Sequence, residues 1–243
     1  MRVAILTDIH GNRPAFEGAL AAVDAWGAEE VWCLGDLVGY GAEPDACVEL
    51  ARSHATVCLA GNHDLAVRGD IPLDDFSPAA ARSADWTRDT IGPEALAWLR
   101  ERQPQAQRSG FGLYHASPRD PVWEYVLSTL VASACLDTQP ERVCLIGHSH
   151  VALAFSRLPG EAVEGRPHPG GSRLALGQGT WLINPGSVGQ PRDGDPRAAW
   201  LELDTARQVA VYRRTEYDVA AAQAAVIEAG LPGMLAERLA LGQ

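Results

Sequence analysis

Val57-Cys58-Leu59-Ala60-Gly61-Asn62-His63-Asp64 is the stretch on which the reading of this chain turns. Four residues of apolar character stop at a glycine, the pattern of a buried strand ending in a turn. The turn then carries an amide, an imidazole and a carboxylate. Strand ends of this kind are where open α/β sheets build their sites. Three more apolar runs end alike: Val3-Ala4-Ile5-Leu6 leads into Asp8-Ile9-His10, Val31-Trp32-Cys33-Leu34 into Gly35-Asp36, and Val143-Cys144-Leu145-Ile146 into Gly147-His148-Ser149-His150. Four strands delivering Asp, His and Asn to one sheet edge point to a metal cage rather than to four unrelated loops.

Around that frame, Asn12 can cap a helix over residues 13–26, with Pro14 in its first turn and Gly27 as its stop. A helix over 44–52 and a strand over 56–59 complete a β-α-β-α-β opening, the mark of a parallel sheet covered by helices. Residues 65–76 read as a loop over the sheet edge, 78–89 and 93–102 as helices, 107–114 as one strand running into His115-Ala116-Ser117-Pro118, and 129–136 as a helix. The last third alternates as short antiparallel strands at 151–156, 174–176, 180–183, 198–203 and 209–213. Between them, residues 158–172 are rich in Gly and Pro and read as an exposed, mobile loop. A helix over 219–229 and a frayed tail over 233–243 close the chain. There is no internal repeat and no separating linker, so residues 1–243 are expected to form a single domain, two sheets face to face with helices outside.

A hydrophobic fraction of 47% and a charged fraction of 21% are ordinary for a globular protein. No apolar run reaches the ~18 residues a membrane span needs. Residues 1–6 read as a core strand instead of an export signal, which makes the cytoplasm the expected location. Cys33, Cys47, Cys58, Cys135 and Cys144 are scattered, apolar-flanked and without Cys-x-x-Cys spacing, the usage of reduced core thiols. A net charge of -11 argues against non-specific nucleic-acid or membrane binding. An anionic substrate must therefore be met locally, by metal ions or a few arginines. Homo-oligomerisation is left open.

Taken singly, Asp8-x-His10 reads more readily as a capping Asp beside a surface His, and Gly35-Asp36 is ordinary turn chemistry. Paired histidines at a strand end are costlier to leave without a role. In order, D-x-H, G-D, G-N-H-D, H and G-H-x-H resemble the calcineurin-like metallophosphoesterases over Asp8 to His150, and Asn184-Pro185-Gly186-Ser187 is similar to their compact bacterial branch.

The resemblance implies an α/β fold with mixed sheets, a four-layer αββα sandwich. It implies one metal held by Asp8, His10, Asp36 and His150, and a second held by Asp36, Asn62, His115 and His148, with the Asp36 carboxylate bridging. Mixed N and O donors suit Mn, Fe, Zn or Co, with Mn favoured. Two ions ~3.5–4 Å apart can turn a shared water into hydroxide and neutralise phosphoryl oxygens. His63 would be the general acid and not a ligand. The implied reaction is hydrolysis of a small phosphodiester, phosphomonoester or dinucleoside polyphosphate.

Gly35-Asp36-Leu37-Val38-Gly39-Tyr40 lacks the acidic-Arg segment of the protein-phosphatase branch, which disfavours a phosphoprotein substrate. It also leaves the acid histidine without its orienting carboxylate, for which Asp64 is the nearest substitute in sequence. Asn12, Tyr40, Arg119 and Arg192 flank the motifs as candidate substrate contacts, Arg192 foremost because a planar fork suits phosphate. Trp123 and Tyr125 could wall a nucleobase, while His54 and His168 lack any partner pattern. No Gly-x-Ser-x-Gly elbow supports serine chemistry. Two competing readings are a non-catalytic scaffold, which filled ligand positions oppose, and a nuclease, for which there is no basic groove.

Overall fold

Alternation along β1 (Arg2–Leu6) sets the layers: Val3 and Ile5 face one core, Ala4 and Leu6 another. The computed structural model describes residues 1–243. After β1 come α1 (Arg13–Trp26), β2 (Glu30–Cys33), α2 (Pro44–His54) and β3 (Val57–Cys58). The helices α3 (Asn62–Arg68), α4 (Pro78–Thr90) and α5 (Pro93–Arg100) lead to β4 (Gln105–Arg108) and β5 (Phe111–Tyr114). Next are α6 (Thr129–Thr138), β6 (Val143–Leu145), β7 (Ala152–Arg157), β8 (Glu164–Pro167), β9 (Arg173–Ala175) and β10 (Thr180–Pro185). The chain closes with β11 (Ala198–Asp204), β12 (Val209–Thr215), α7 (Val219–Glu228), α8 (Gly233–Glu237) and a 3-10 turn at Arg238–Ala240.

Two six-stranded sheets result, in the orders β3-β2-β1-β11-β12-β9 and β4-β5-β6-β10-β7-β8. Val3, Ile5, Trp32, Leu113, Leu145 and Tyr212 belong to the core between them. A second core joins the first sheet to α1 and α2 through Leu6, Cys33, Phe16, Val23 and Val48, and a third joins the other sheet to α6 through Cys144, Leu182 and Cys135. The expected αββα sandwich is therefore the observed one, in a single domain. β1, β2 and β3 run parallel, as do β5, β6 and β10. Each sheet thus gathers carboxyl ends at one edge. No helix is long and apolar enough to cross a membrane.

Four local expectations are corrected. Residues 65–76 are not wholly loop, because α3 begins at Asn62; Asp64 accepts from the Gly61 amide at 2.9 Å, and Gly69 (φ +81°) ends the helix. With its first six residues all buried, α3 shows no polar face to signal it. The single strand over 107–114 is a hairpin, turning at Ser109-Gly110 where both φ angles are positive. Within 158–172, β8 pairs with β7 as an exposed edge strand, held by backbone bonds that need no apolar pattern. The segment 233–243 carries α8, whose Leu235 and Ala236 are buried against Val226 and Leu231, and Gly242 accepts from the Gly194 amide at 3.0 Å.

Candidate metal centre

Every strand-end motif converges on one place. Asp8 and His10 follow β1, Asp36 follows β2, Asn62 and His63 open α3 after β3, His115 follows β5, and His148 and His150 follow β6. All are buried, none more than 4% exposed. The two sheet edges meet there closely: a Cβ on Gly147 would lie 2.2 Å from Thr7 Oγ1, and one on Gly61 would lie 2.0 Å from Asp36 Oδ1 and 2.6 Å from His115 Cε1. Of eight non-glycine residues with positive φ, six are Asp8, His10, Asp36, Tyr40, His148 and His150; the remaining two sit in hairpin turns. Left-handed backbone costs a side-chain-bearing residue on the order of 1–3 kcal/mol, so its concentration here marks a built site.

Asn184-Pro185-Gly186-Ser187 braces this edge. Asn184 donates to the Gly147 carbonyl at 2.6 Å and to Ser149 Oγ at 3.0 Å, and Ser187 Oγ donates to the Asp8 carbonyl at 2.7 Å.

The imidazoles are held in defined tautomers. Since a carbonyl only accepts, His10 Nδ1 must donate to Val38 O (3.2 Å), His115 Nδ1 to Leu34 O (3.0 Å) and His150 Nδ1 to Gln190 O (2.7 Å). His148 instead uses Nε2, 3.2 Å from Trp123 O. Each ring therefore turns one unprotonated nitrogen inward. His10 Nε2 and His150 Nε2 face each other at 3.1 Å, and His150 Nε2 lies 3.6 Å from Asp8 Oδ1. Asp36 Oδ2 lies 3.6 Å from His10 Nε2 and 3.5 Å from His115 Nε2, is buried, and has no hydrogen-bond partner. His115 Nε2 is also 3.2 Å from Asn62 Oδ1.

Three groups have ligand atoms within 4.8 Å of one another: Asp8-His10-His150, His10-Asp36-His63 and Asp36-His115-His148. Lone pairs crowded this tightly repel unless a cation lies among them, so the donors fit divalent metal.

Burial works in the same direction. It pushes the Asp8 carboxyl up to about 7 and the Asp36 carboxyl well above its ordinary range, the latter with a contribution from nearby Asp64. It holds His10, His148 and His150 neutral, well below the usual imidazole value. Neutral imidazoles and desolvated carboxyls are the donors a cation would satisfy.

His63 differs. Its backbone amide donates to Asp36 Oδ1 at 2.8 Å, but its buried Nδ1 has no partner and abuts Gly39, where an added Cβ would stand 2.4 Å away. Burial, then Arg192 and His115, lower its pKa to about 3. Asp64 does not orient it: the Asp64 carboxylate accepts from the amides of Asp36 (2.8 Å), Leu37 (2.9 Å), Val38 (3.2 Å) and Gly61 (2.9 Å), tying the Asp36 loop to α3. Aromatic rings hold His63 instead, with Tyr40 at 4.4 Å, His10 at 4.8 Å and Phe76 at 5.0 Å between centroids.

A cavity of about 260 Å³ opens above Asp36, Asn62, His63, His148 and His150. Tyr40, Trp123, Tyr125 and Arg192 line it, as sequence suggested, joined by Phe76 and Arg238. Tyr125 stacks on His148 at 4.1 Å. The structure does not bring Asn12 or Arg119 to this cavity. Asn12 caps α1 and donates to Gly189 O, while Arg119 pairs with Glu124 at 3.3 Å. His54 is exposed and bonded to Leu50 O, and His168 stacks on Tyr212. Arg238 escaped the sequence reading because no motif surrounds it.

Comparison with known proteins agrees with this geometry. The model of the calcineurin-like phosphoesterase superfamily domain matches residues 1–206. An uncharacterized protein of Methanocaldococcus jannaschii is 34% identical over 249 residues, covering 99% of this chain and 98% of the relative. The crystal structure of a metallophosphoesterase from Sphaerobacter thermophilus superposes with a TM-score of 0.90 at 38% identity, over 100% of this chain and 99% of that one. A hypothetical protein of Pyrococcus horikoshii shares the fold, with a TM-score of 0.80 at 19% identity over 100% of this chain and 98% of its own.

Proposed function

This chain belongs to the calcineurin-like phosphoesterase superfamily, and from that premise we propose that it is a dinuclear metal-dependent hydrolase of small phosphate esters. Asp8, His10, Asp36 and His150 would hold one divalent ion, and Asp36, Asn62, His115 and His148 the other. The observation that carries this reading is Asp36 Oδ2: buried, without a hydrogen bond, and nearly equidistant from one histidine of each set. A pair of divalent ions at such a site lowers the pKa of water and neutralises charge on phosphoryl oxygens.

The chain's own residues supply the rest. As the oxygen of water bonds to phosphorus and the opposite P–O ester bond breaks, the leaving oxygen needs a proton. His63 is placed to give it. With Nδ1 enclosed against Gly39, Nε2 is the nitrogen that can face the cavity. Its pKa of about 3 makes His63 neutral before substrate arrives; the negative charge of a bound phosphate opposes the effect of burial, so His63 takes up a proton from solvent as the ester binds and passes it to the leaving oxygen. Tyr40 and Arg192 line the cavity beside the cage, with Trp123 and Tyr125 as an aromatic wall. Mn, Fe, Zn and Co all suit these donors, and Mn is the ion to test first. Five free cysteines fit a reducing compartment, which supports a cytoplasmic location.

Protein loaded with Mn should hold about two ions per chain and hydrolyse bis-nitrophenyl phosphate or nitrophenyl phosphate. Absence of both metal and turnover would remove the reading.

A further inference from the structure

Resting on the phosphoesterase reading, we propose that Arg238 and Arg192 together grip a second phosphate of the substrate, linked to the one that is cleaved. The substrate class then carries two adjacent phosphates.

Arg238 lies beyond residue 206, where the match to the superfamily model ends. Several contacts fix its position. Leu235 and Ala236 of α8 pack with Val226 and Leu231 against Tyr40 and Ala42 of the loop that follows Asp36. Leu239, next to Arg238, is buried, and the Gly194 amide donates to Gly242. A Cβ on Gly242 would lie 2.8 Å from the Asp195 amide, so the last turn is pressed on the loop that follows Arg192. Two segments tied to each other thus bring two guanidinium groups to one cavity.

Neither guanidinium meets an Asp or Glu side chain within ion-pair distance, although acids outnumber bases 31 to 20 in the chain. Arg192 contacts Tyr40 Oη (3.3 Å) and Gln190 Oε1 (3.1 Å), and its buried Nε has no partner. Arg238 donates Nε to the main-chain oxygen of Gln243, and its two Nη groups make no bond within the chain. The one other carboxylate lining the cavity besides Asp36 is the exposed Asp75. Burial lowers the pKa of Arg238, and repulsion from Arg192 lowers it further. Two like charges converging on one cavity with no side-chain carboxylate paired to either are complementary to an anion.

Placement separates that anion from the scissile one. The Tyr40 ring lies 4.7 Å from the His10 ring and 4.4 Å from His63, and Arg192 meets the hydroxyl end of that ring, 3.3 Å from Oη and 5.8 Å from the ring centroid. Arg192 and Arg238 both line the cavity while standing outside the three ligand groups. A cavity of about 260 Å³ is larger than a lone phosphate needs and approaches the ~300 Å³ of small-ligand pockets.

The test is calorimetric binding of inorganic pyrophosphate and orthophosphate to Mn-loaded protein, alongside hydrolysis of bis-nitrophenyl phosphate. Wild type should bind pyrophosphate at least about tenfold more tightly than orthophosphate. Arg238→Gln should collapse that ratio, and Arg238→Lys, which keeps the charge, should restore part of it. A ratio near one in wild type, or one unchanged in Arg238→Gln, would overturn the inference. If bis-nitrophenyl phosphate is not hydrolysed while the ratio still collapses, the hydrolase reading fails and the second phosphate site stands. Intact hydrolysis with an unchanged ratio defeats the second site alone.

Discussion

Asp64→Asn is the substitution that separates a structural from a catalytic role for the carboxylate beside His63. Asp64 is fully buried, and each of its oxygens accepts from two backbone amides: Oδ2 from Asp36 and Gly61, Oδ1 from Leu37 and Val38. Asparagine has nearly the same shape but only one accepting oxygen. Whichever way its amide turns, two buried N–H groups lose their acceptor and face an NH₂. At about 1–3 kcal/mol for each buried group left unsatisfied, the cost is roughly 2–6 kcal/mol. A domain typically holds only ~5–15 kcal/mol in total. In the orientation that strands the Asp36 and Gly61 amides the Asp36 loop loosens directly, and in the other it loosens through Leu37 and Val38.

Urea denaturation of the metal-free protein should therefore show a loss of that size, and metal content after dialysis should fall. Turnover should fall in step with metal content and equally for esters with good and poor leaving groups, since Asp64 does not touch His63. Stability within about 1 kcal/mol of wild type would refute this account, because a lone lost surface contact costs no more. A defect confined to poor leaving groups would return Asp64 to the role of orienting His63.

Gly61→Ala places a methyl 2.0 Å from Asp36 Oδ1, so metal analysis should show impaired loading even where the fold survives, with overpacking costing about 1–3 kcal/mol. His63→Ala should keep its metal and lose activity mainly on esters with poor leaving groups, by about 10²–10⁴-fold, read from a leaving-group series. Metal affinity should climb as pH rises through about 7, because the ions must displace the protons that burial holds on Asp8 and Asp36; titration calorimetry in two buffers reads the proton release. Leu235→Ala should cost about 2–5 kcal/mol in denaturation, as for any buried leucine, whereas a frayed tail would tolerate it.

Much of the site is legible along the chain because its chemistry is local. An apolar run followed by Asp, His or Asn announces both a strand and what stands at its end, and parallel strands put those ends on one edge. Asp8, His10, Asp36, Asn62, His63, His115, His148 and His150 could all be named from that pattern and the resemblance it raised, and the structure brings them together. Asn12 and Arg119 were flagged by nearness in sequence alone, and their side chains are engaged elsewhere, in a helix cap and an ion pair. Helix α3 was missed because burial on all sides removes the polar face that periodicity needs, and β8 because an edge strand needs only backbone partners.

Alternation and residue chemistry act over a few neighbours, so the layers, the strand ends and the kinds of donor gathered there can be read along the chain. Tertiary structure alone decided that Asp36 Oδ2 stands between two histidines, that Asp64 is a tie for four amides, and that Arg238 reaches the cavity from the far end of the chain. Those facts depend on which distant segments exclude water from one another, and residues that close over a site from far along the chain leave no periodic trace in the segments that carry them.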